Sequence, residues 1–290
     1  MPSLPLPIAA LAAASYLVPS LVAPFFRRMM LVPRRHVRPP PVLAMPEAEE
    51  RLSLGDGLVA WRWGDSDPAV PRVLLVHGFE GNRGQFGALL EALLERGLSV
   101  VALDVPAHGQ SAGDQLTAVT FVAAIDRALG QLGPFQAVVG HSMGGAMSLF
   151  SVARHGGAER LALVSAPSSL GRELRRFAKV VGLSRRGTAA FIASVERQVG
   201  RPAADFDVRR IASQVNLPLL MVHDQTDRQV PVAEAARTAH AVPGAELIVT
   251  RGLGHNRLLA DPAVVQAIVA FVVRPERAAR QEITGSASTA

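Results

Sequence analysis

The hexapeptide Gly140-His141-Ser142-Met143-Gly144-Gly145 constrains this chain more than any other stretch. It follows the apolar run Phe135-Gln136-Ala137-Val138-Val139 and precedes a helix-like run from Ala146 to Arg154. A strand that turns sharply into a helix at Gly-x-Ser-x-Gly strains the backbone at the serine. The residues two before and two after it must then be very small. Gly140 and Gly144 meet that need, and Gly145 lets the helix pack close to the strand. Such a turn lifts the Ser142 hydroxyl above a sheet, beside the amides and partial positive charge of a helix N-terminus.

The rest of the chain alternates in the way that turn requires. An antiparallel hairpin is expected over Arg51 to Trp63, turning at Gly55-Asp56-Gly57. Apolar runs at Val73–Val76, Leu98–Leu103, Leu161–Val164, Leu217–His223 and Glu246–Val249 read as strands, most of them suited to burial on both faces. Between them, Gln85–Arg96, Leu116–Leu132, Ala233–Ala241 and Pro262–Val272 have helical patterns. Strands separated by helices imply an α/β fold, with a mostly parallel central sheet covered by helices on both faces. The alternation pauses between about residues 168 and 214, where a small helical insertion on the active-site edge would serve as a lid.

The division expected is an apolar N-terminal segment with an Arg/Pro-rich linker (1–45), a catalytic domain (46–273) and a disordered tail (274–290). Met1 to Phe26 holds no charged side chain, whereas Arg27, Arg28, Arg34, Arg35, His36 and Arg38 follow closely. Pro7, Pro19 and Pro24 interrupt it, so a helix that packs on the domain or lies on a membrane surface is favoured. A spanning helix over Leu6 to Phe26 is the runner-up. The expected location is the cytoplasm, with residues 1–38 associating with the inner face of the membrane. Pro39-Pro40-Pro41 reads as a stiff linker.

Composition narrows the chemistry. The absence of cysteine removes disulfides, thiolate metal sites and cysteine nucleophiles. The net charge of +6 comes from 30 basic residues of which only Lys179 is lysine, and they are scattered rather than gathered as a nucleic-acid surface requires. Metal-binding and phosphate-loop motifs are missing, so no cofactor and no metal are expected.

A serine nucleophile needs a base, and the base needs an acid to orient it. His255, in the loop Gly252-Leu253-Gly254-His255-Asn256 after the last strand, is the base of choice. His77 and His141 belong to the turns themselves and are second candidates. For the acid, Asp224 and Asp227 both lie in the loop after Leu217–His223, and physical reasoning leaves them equal. A Gly-flexed loop, His77-Gly78-Phe79-Glu80-Gly81, follows the first central strand and can turn the amide of Phe79 towards the site.

Taken together, His77-Gly78-Phe79, Asp104-Val105-Pro106-Ala107-His108-Gly109-Gln110-Ser111, Gly140–Gly145, His223-Asp224-Gln225-Thr226-Asp227 with Val230-Pro231, and Gly254-His255 resemble the α/β-hydrolase-fold serine hydrolases. The flavour is that of bacterial esterases and of lysophospholipase-like or monoglyceride-lipase-like members. The resemblance implies a triad of Ser142, Asp227 and His255, with Asp224 as a turn residue or a partner behind it. It also implies an oxyanion hole from the amides of Phe79 and Met143. The usual glycine of Asp-x-Pro-Gly-His-Gly-x-Ser is Ala107 here. The implied reaction is cleavage of carboxylic esters with an apolar acyl part through an acyl-enzyme. A thioesterase, a lysophospholipase-like enzyme and a non-catalytic binding or regulatory protein on the same fold are the alternatives.

Overall fold

Runs of Val, Leu and Ala that can expose neither face form the middle of the sheet. The computed structural model describes residues 5–34, 46, 48 and 50–275. Its strands are β1 (Glu50–Ser53), β2 (Val59–Trp63), β3 (Arg72–Val76), β4 (Ser99–Asp104), β5 (Ala137–His141), β6 (Leu161–Val164), β7 (Leu219–Asp224) and β8 (Glu246–Thr250). Among the described residues they form one sheet in the order β1-β2-β4-β3-β5-β6-β7-β8. The β1–β2 and β2–β4 pairs are antiparallel, and every other pair is parallel. Every residue of β4, β5, β6 and β7 is buried, as parallel strands covered on both faces must be.

Two helices precede the sheet, α1 (Leu6–Ala14) and α2 (Pro19–Leu31). The helices interleaved with the strands are α3 (Gly87–Leu94), α4 (Ala118–Leu132), α5 (Met143–His155), α6 (Leu170–Val180), α7 (Arg185–Val199), α8 (Ala233–Ala241) and α9 (Pro262–Val273). Strand side chains alternate between two cores. Leu74, Val76 and Leu103 pack with Phe121, Ile125 and Leu149 of α4 and α5. Val73, Leu75 and Val100 pack with Leu89 and Leu93 of α3 and with Ile268 and Phe271 of α9. Local chemistry sets the helix ends. Thr117 and Thr120 bond reciprocally at the start of α4, and the Asp261 carboxylate accepts from the Ala263 and Val264 amides before α9. The helix expected from Gln85 begins instead as a 3-10 turn over Arg83–Phe86, because the Asn82 side chain accepts from the Gly84 amide.

The segment expected to hold one N-terminal helix is a hairpin. Residues 15–18 break it, and Pro19 opens the second helix. Among the described residues no helix is long and apolar enough to cross a membrane, which corrects the spanning alternative. The hairpin packs on α6 and α7 around a third core, where Val22 and Phe26 meet Leu174, Phe191 and Val195. At the turns, the Ser184 amide donates to the Ser15 hydroxyl (2.9 Å) and the Ser184 hydroxyl to the Ser15 carbonyl (2.8 Å). The Pro39–Pro41 linker and the tail beyond Pro275 lie outside the described residues.

The glycines of this chain are not equivalent, and two make the contrast testable. A Cβ on Gly144 would lie 2.3 Å from the Val76 carbonyl oxygen and 2.4 Å from that of His77, both rigid backbone. Gly130, on the exposed side of α4, has nothing within 4 Å of such a Cβ. Gly144→Ala should therefore lower the unfolding free energy by about 3 kcal/mol or prevent folding, while Gly130→Ala should raise it by about 1 kcal/mol. Denaturant unfolding of the two variants checks both signs.

Candidate active site

Parallel strands deliver their C-terminal ends to one edge of the sheet, and the loops that leave that edge carry the chemistry-bearing residues. Strand β5 ends at His141 and α5 begins at Met143, so Ser142 takes the whole turn alone, at φ 54° and ψ −127°. This left-handed conformation is costly for a residue with a side chain. The surrounding backbone allows no alternative. A Cβ on Gly140 would meet the Gly145 Cα at 2.4 Å, and one on Gly145 would meet the Gly140 oxygen at 2.7 Å. The loop after β3 comes equally close, since a Cβ on Gly78 would lie 2.9 Å from the Ser142 Cβ. Phe79 and Met143 line the same cavity as Ser142. No described residue accepts a hydrogen bond from the backbone N–H of either.

His255 and Asp227 are joined directly: the His255 Nδ1–H donates to Asp227 Oδ2 at 2.7 Å. The other carboxylate oxygen, Oδ1, accepts from the Gln229 and Val230 amides at 2.8 and 2.9 Å. Burial pushes the Asp227 carboxyl up, but bonds from His223 and His255 outweigh it and hold the group below the usual carboxylate range. Asp224 does not reach His255. Its oxygens accept from the Thr226 amide (2.8 Å) and hydroxyl (2.5 Å), the Thr250 hydroxyl (2.8 Å) and the Leu253 amide (3.0 Å). Asp224 thus ties the loop after β7 to the loop that carries His255. The Ser142 hydroxyl has no hydrogen-bond partner among the described residues, and such bonds often tighten only when substrate binds.

The second-candidate histidines brace the loops. His77 is buried, with Nδ1–H donating to the Gly78 carbonyl (2.8 Å) and Nε2 accepting from the Val105 amide (3.3 Å). His141 Nε2–H donates to the His255 carbonyl at 2.9 Å. Burial, then a neighbouring imidazole, pushes His77 down to about 4 and His141 to about 3, so both are neutral at physiological pH. The Asp104–Ser111 motif is a third brace. The buried Asp104 carboxylate accepts from Trp61 Nε1 (2.8 Å) and the Gln110 amide (3.0 Å), and a Cβ on Gly109 would collide with it at 2.3 Å. Ala107 adopts φ 65°, the conformation for which glycine is usual.

Ser142, Met143, Phe79 and His255 open on a cavity of about 540 Å³. Leu116 and Phe121 form one wall, and Leu170, Leu174, Phe177 and Val195 of the insertion form another. Met30, Leu31 and Arg34 complete the roof, a contribution that sequence reasoning missed. Arg34 grips Glu80, next to Phe79, through a bidentate ion pair at 2.7 and 2.8 Å. Glu234 was also missed. Its buried carboxylate accepts from the Ser168 amide and hydroxyl (3.1 and 2.5 Å), Arg172 (3.1 Å) and Arg237 (2.8 Å), which ties α6 to α8. An acid in a helix's first turn reads as a surface residue, so only the arginine-rich stretch opposite it offered a signal. Among the described residues no group of three or more His, Asp or Glu side chains could hold a metal ion.

A family model described as alpha/beta hydrolase fold matches residues 71–196, and one described as TAP-like protein matches residues 196–283. The chain is similar to pimeloyl-(acyl-carrier protein) methyl ester esterase of Xanthomonas campestris pv. campestris, at 28% identity over 245 residues, covering 70% of this chain and 95% of that protein. Among solved structures it is similar to the monoacylglycerol lipase of Paleococcus ferrophilus, with a TM-score of 0.58 and 21% identity over 74% of this chain and 98% of that one. An esterase from Exiguobacterium antarcticum gives a TM-score of 0.57 and 18% identity, covering 77% and 98%. At these identities the solved structures establish the fold.

Glu173, on the cavity wall, makes the site measurable by pH. Burial pushes its carboxyl up from 4.5 to about 7, against the opposing pull of Arg176. The folded chain therefore binds this proton more tightly than the unfolded chain does. The benefit is complete below about pH 4.5 and is lost as pH rises through 7, a change of about 3 kcal/mol. Glu173→Gln, which cannot ionise, should match the parent in stability near pH 4.5 and exceed it by up to about 3 kcal/mol at pH 8. Thermal unfolding across that range checks this, and a constant difference between the two proteins would refute it.

Proposed function

The chain belongs to the α/β-hydrolase family, and from that premise we propose that it is a serine hydrolase that cleaves carboxylic esters through an acyl-enzyme. The observation that carries the proposal is the 2.7 Å bond from His255 Nδ1–H to Asp227, with Ser142 and His255 facing one cavity. That bond leaves Nε2 of His255 unprotonated and able to take the Ser142 proton. The serine oxygen then attacks the ester carbonyl carbon, and the negative charge on the carbonyl oxygen is met by the N–H groups of Phe79 and Met143. His255 returns its proton to the leaving alcohol as the carbon–oxygen bond breaks. Water, deprotonated by His255, cleaves the acyl-enzyme and restores Ser142.

The apolar wall of Leu116, Phe121, Leu174, Phe177 and Val195 supports an apolar acyl chain as the bound part. In this reading residues 168–214 act as a lid together with α2. Residues 1–38 hold the protein at the inner, cytoplasmic face of a membrane. A thioesterase is the second reading, since the same fold carries the thioesterase domain from the curacin biosynthetic pathway.

A fluorophosphonate probe should label the protein at Ser142, and Ser142→Ala should not be labelled; equal labelling of both would overturn the proposal. Ser142→Ala should lower turnover of a chromogenic ester by about 10⁶-fold and Asp227→Asn by about 10⁴-fold, with a much smaller loss for Asp224→Asn. Rates across an acyl-length series of oxygen esters and thioesters separate the two readings.

A further inference from the structure

Among the described residues, most of the exposed large apolar side chains gather at one place; Val119 of α4 and Val249 of β8 lie apart from it. Leu6, Tyr16, Leu17, Val18, Leu21 and Phe25 of the α1–α2 hairpin are between 39% and 86% exposed, and Val180 at the end of α6 is 62% exposed. The hairpin turn and the α6–α7 turn are neighbours. Ser15 and Ser184 bond to each other, and a Cβ on Gly182 would lie 3.8 Å from that of Ala12. The hairpin's inner face is already used, because Val22 and Phe26 are buried in the third core. Among the described residues its outer face has no partner, and a monomer rarely leaves a contiguous patch of this kind in water.

The charges around the patch select the partner. Arg28, Lys179, Arg185 and Arg186 are exposed at its border, and none of them pairs with a described residue. No Asp or Glu occurs before Glu47. The two acids of α6 and α7 are engaged elsewhere, Glu173 with Arg176 and Glu196 with the Ala203 amide. Two copies of such a patch would bring like charges together, whereas an anionic surface would neutralise them. Val180 also lines the Ser142 cavity, so the patch runs up to the cavity mouth.

We propose that the α1–α2 hairpin and the end of α6 form a docking surface for an anionic phospholipid bilayer. The apolar side chains enter the boundary of the acyl region, Tyr16 sits at headgroup level, and the four cations meet lipid phosphates. The mouth of the cavity then faces the membrane, so an ester dissolved in the bilayer reaches Ser142 without crossing water. The proposal deepens the membrane-surface reading given above and is independent of the chemistry at Ser142.

Flotation of the full chain with phosphatidylcholine vesicles, with and without phosphatidylglycerol, tests it. The protein should float with the anionic vesicles and release them as salt is raised. Leu17→Ser, Leu21→Ser and Phe25→Ser, all at exposed positions, should each weaken binding by about tenfold. Arg185→Gln and Arg186→Gln should each weaken it by about fivefold. Hydrolysis of a water-soluble ester by Leu17→Ser, which lies outside α2 and residues 168–214, should stay within about twofold of the parent, while hydrolysis of a vesicle-borne ester falls. Failure of the parent to float, or equal binding by the serine variants, would overturn the docking surface. So would self-association in sedimentation that the same variants abolish, without vesicle binding. Ser142→Ala should still float. A parent that floats but resists the fluorophosphonate probe would sink the hydrolase reading and leave the docking surface standing.

Discussion

Backbone packs against backbone at Ser142, and the rest of the site depends on that contact. Gly140, Gly144 and Gly145 leave no room for a methyl group, so strand, turn and helix form one rigid unit. Rigidity here has a direction. Ser142 has no alternative φ, its neighbour Met143 opens α5, and the loop of Gly78 presses on the same turn from the other side. The start of α5 and the loop of Gly78 thus meet at one turn with little left to reorganise. The surrounding histidines serve the same end by remaining neutral: His77 and His141 are buried, brace the loops, and keep additional positive charge away from the His255–Asp227 pair.

Above this rigid floor lies a roof of mixed origin. Helices α6 and α7 come from the middle of the chain and α1 and α2 from its start, and they share one core around Phe26 and Phe191. Two charged fastenings hold the roof to the floor. Glu234 gathers Ser168, Arg172 and Arg237, and Arg34 grips Glu80 beside the Phe79 loop. Removing a partner costs more at the buried fastening, because it leaves a carboxylate unpaired and shielded from water, whereas Arg34 is largely exposed.

What could be read in the sequence followed the range of the interaction concerned. Leu161–Val164 is a buried strand as written, because four consecutive apolar residues bounded by polar ones suit that role. The turn at Ser142 was legible for the same reason, since its glycines answer a purely local steric demand. Asp224 and Asp227 were told apart only by the family resemblance and not by physical reasoning, because both sit in one turn and differ only in what lies opposite: Thr250 and Leu253 for one, His255 for the other. The order of strands β2, β4 and β3 was equally hidden, being set by packing between distant segments. The N-terminal segment was read as a helix that packs on the domain or lies on a membrane surface, but its apolar residues have no clear period to name the elements they meet. The structure names α6 and α7 as those elements.

The pairing of Ser15 with Ser184 spans 169 residues of chain. During synthesis the hairpin therefore emerges well before the helices that cover its inner face. At ordinary elongation rates the interval is roughly 10 to 30 s, very long beside the microseconds in which helices form. Throughout it, Val22 and Phe26 are as uncovered as Leu21 and Phe25, and both faces of the hairpin are available to whatever apolar surface lies nearest. The order in which this chain is made thus presents the hairpin well before the helices that cover it and closes it late.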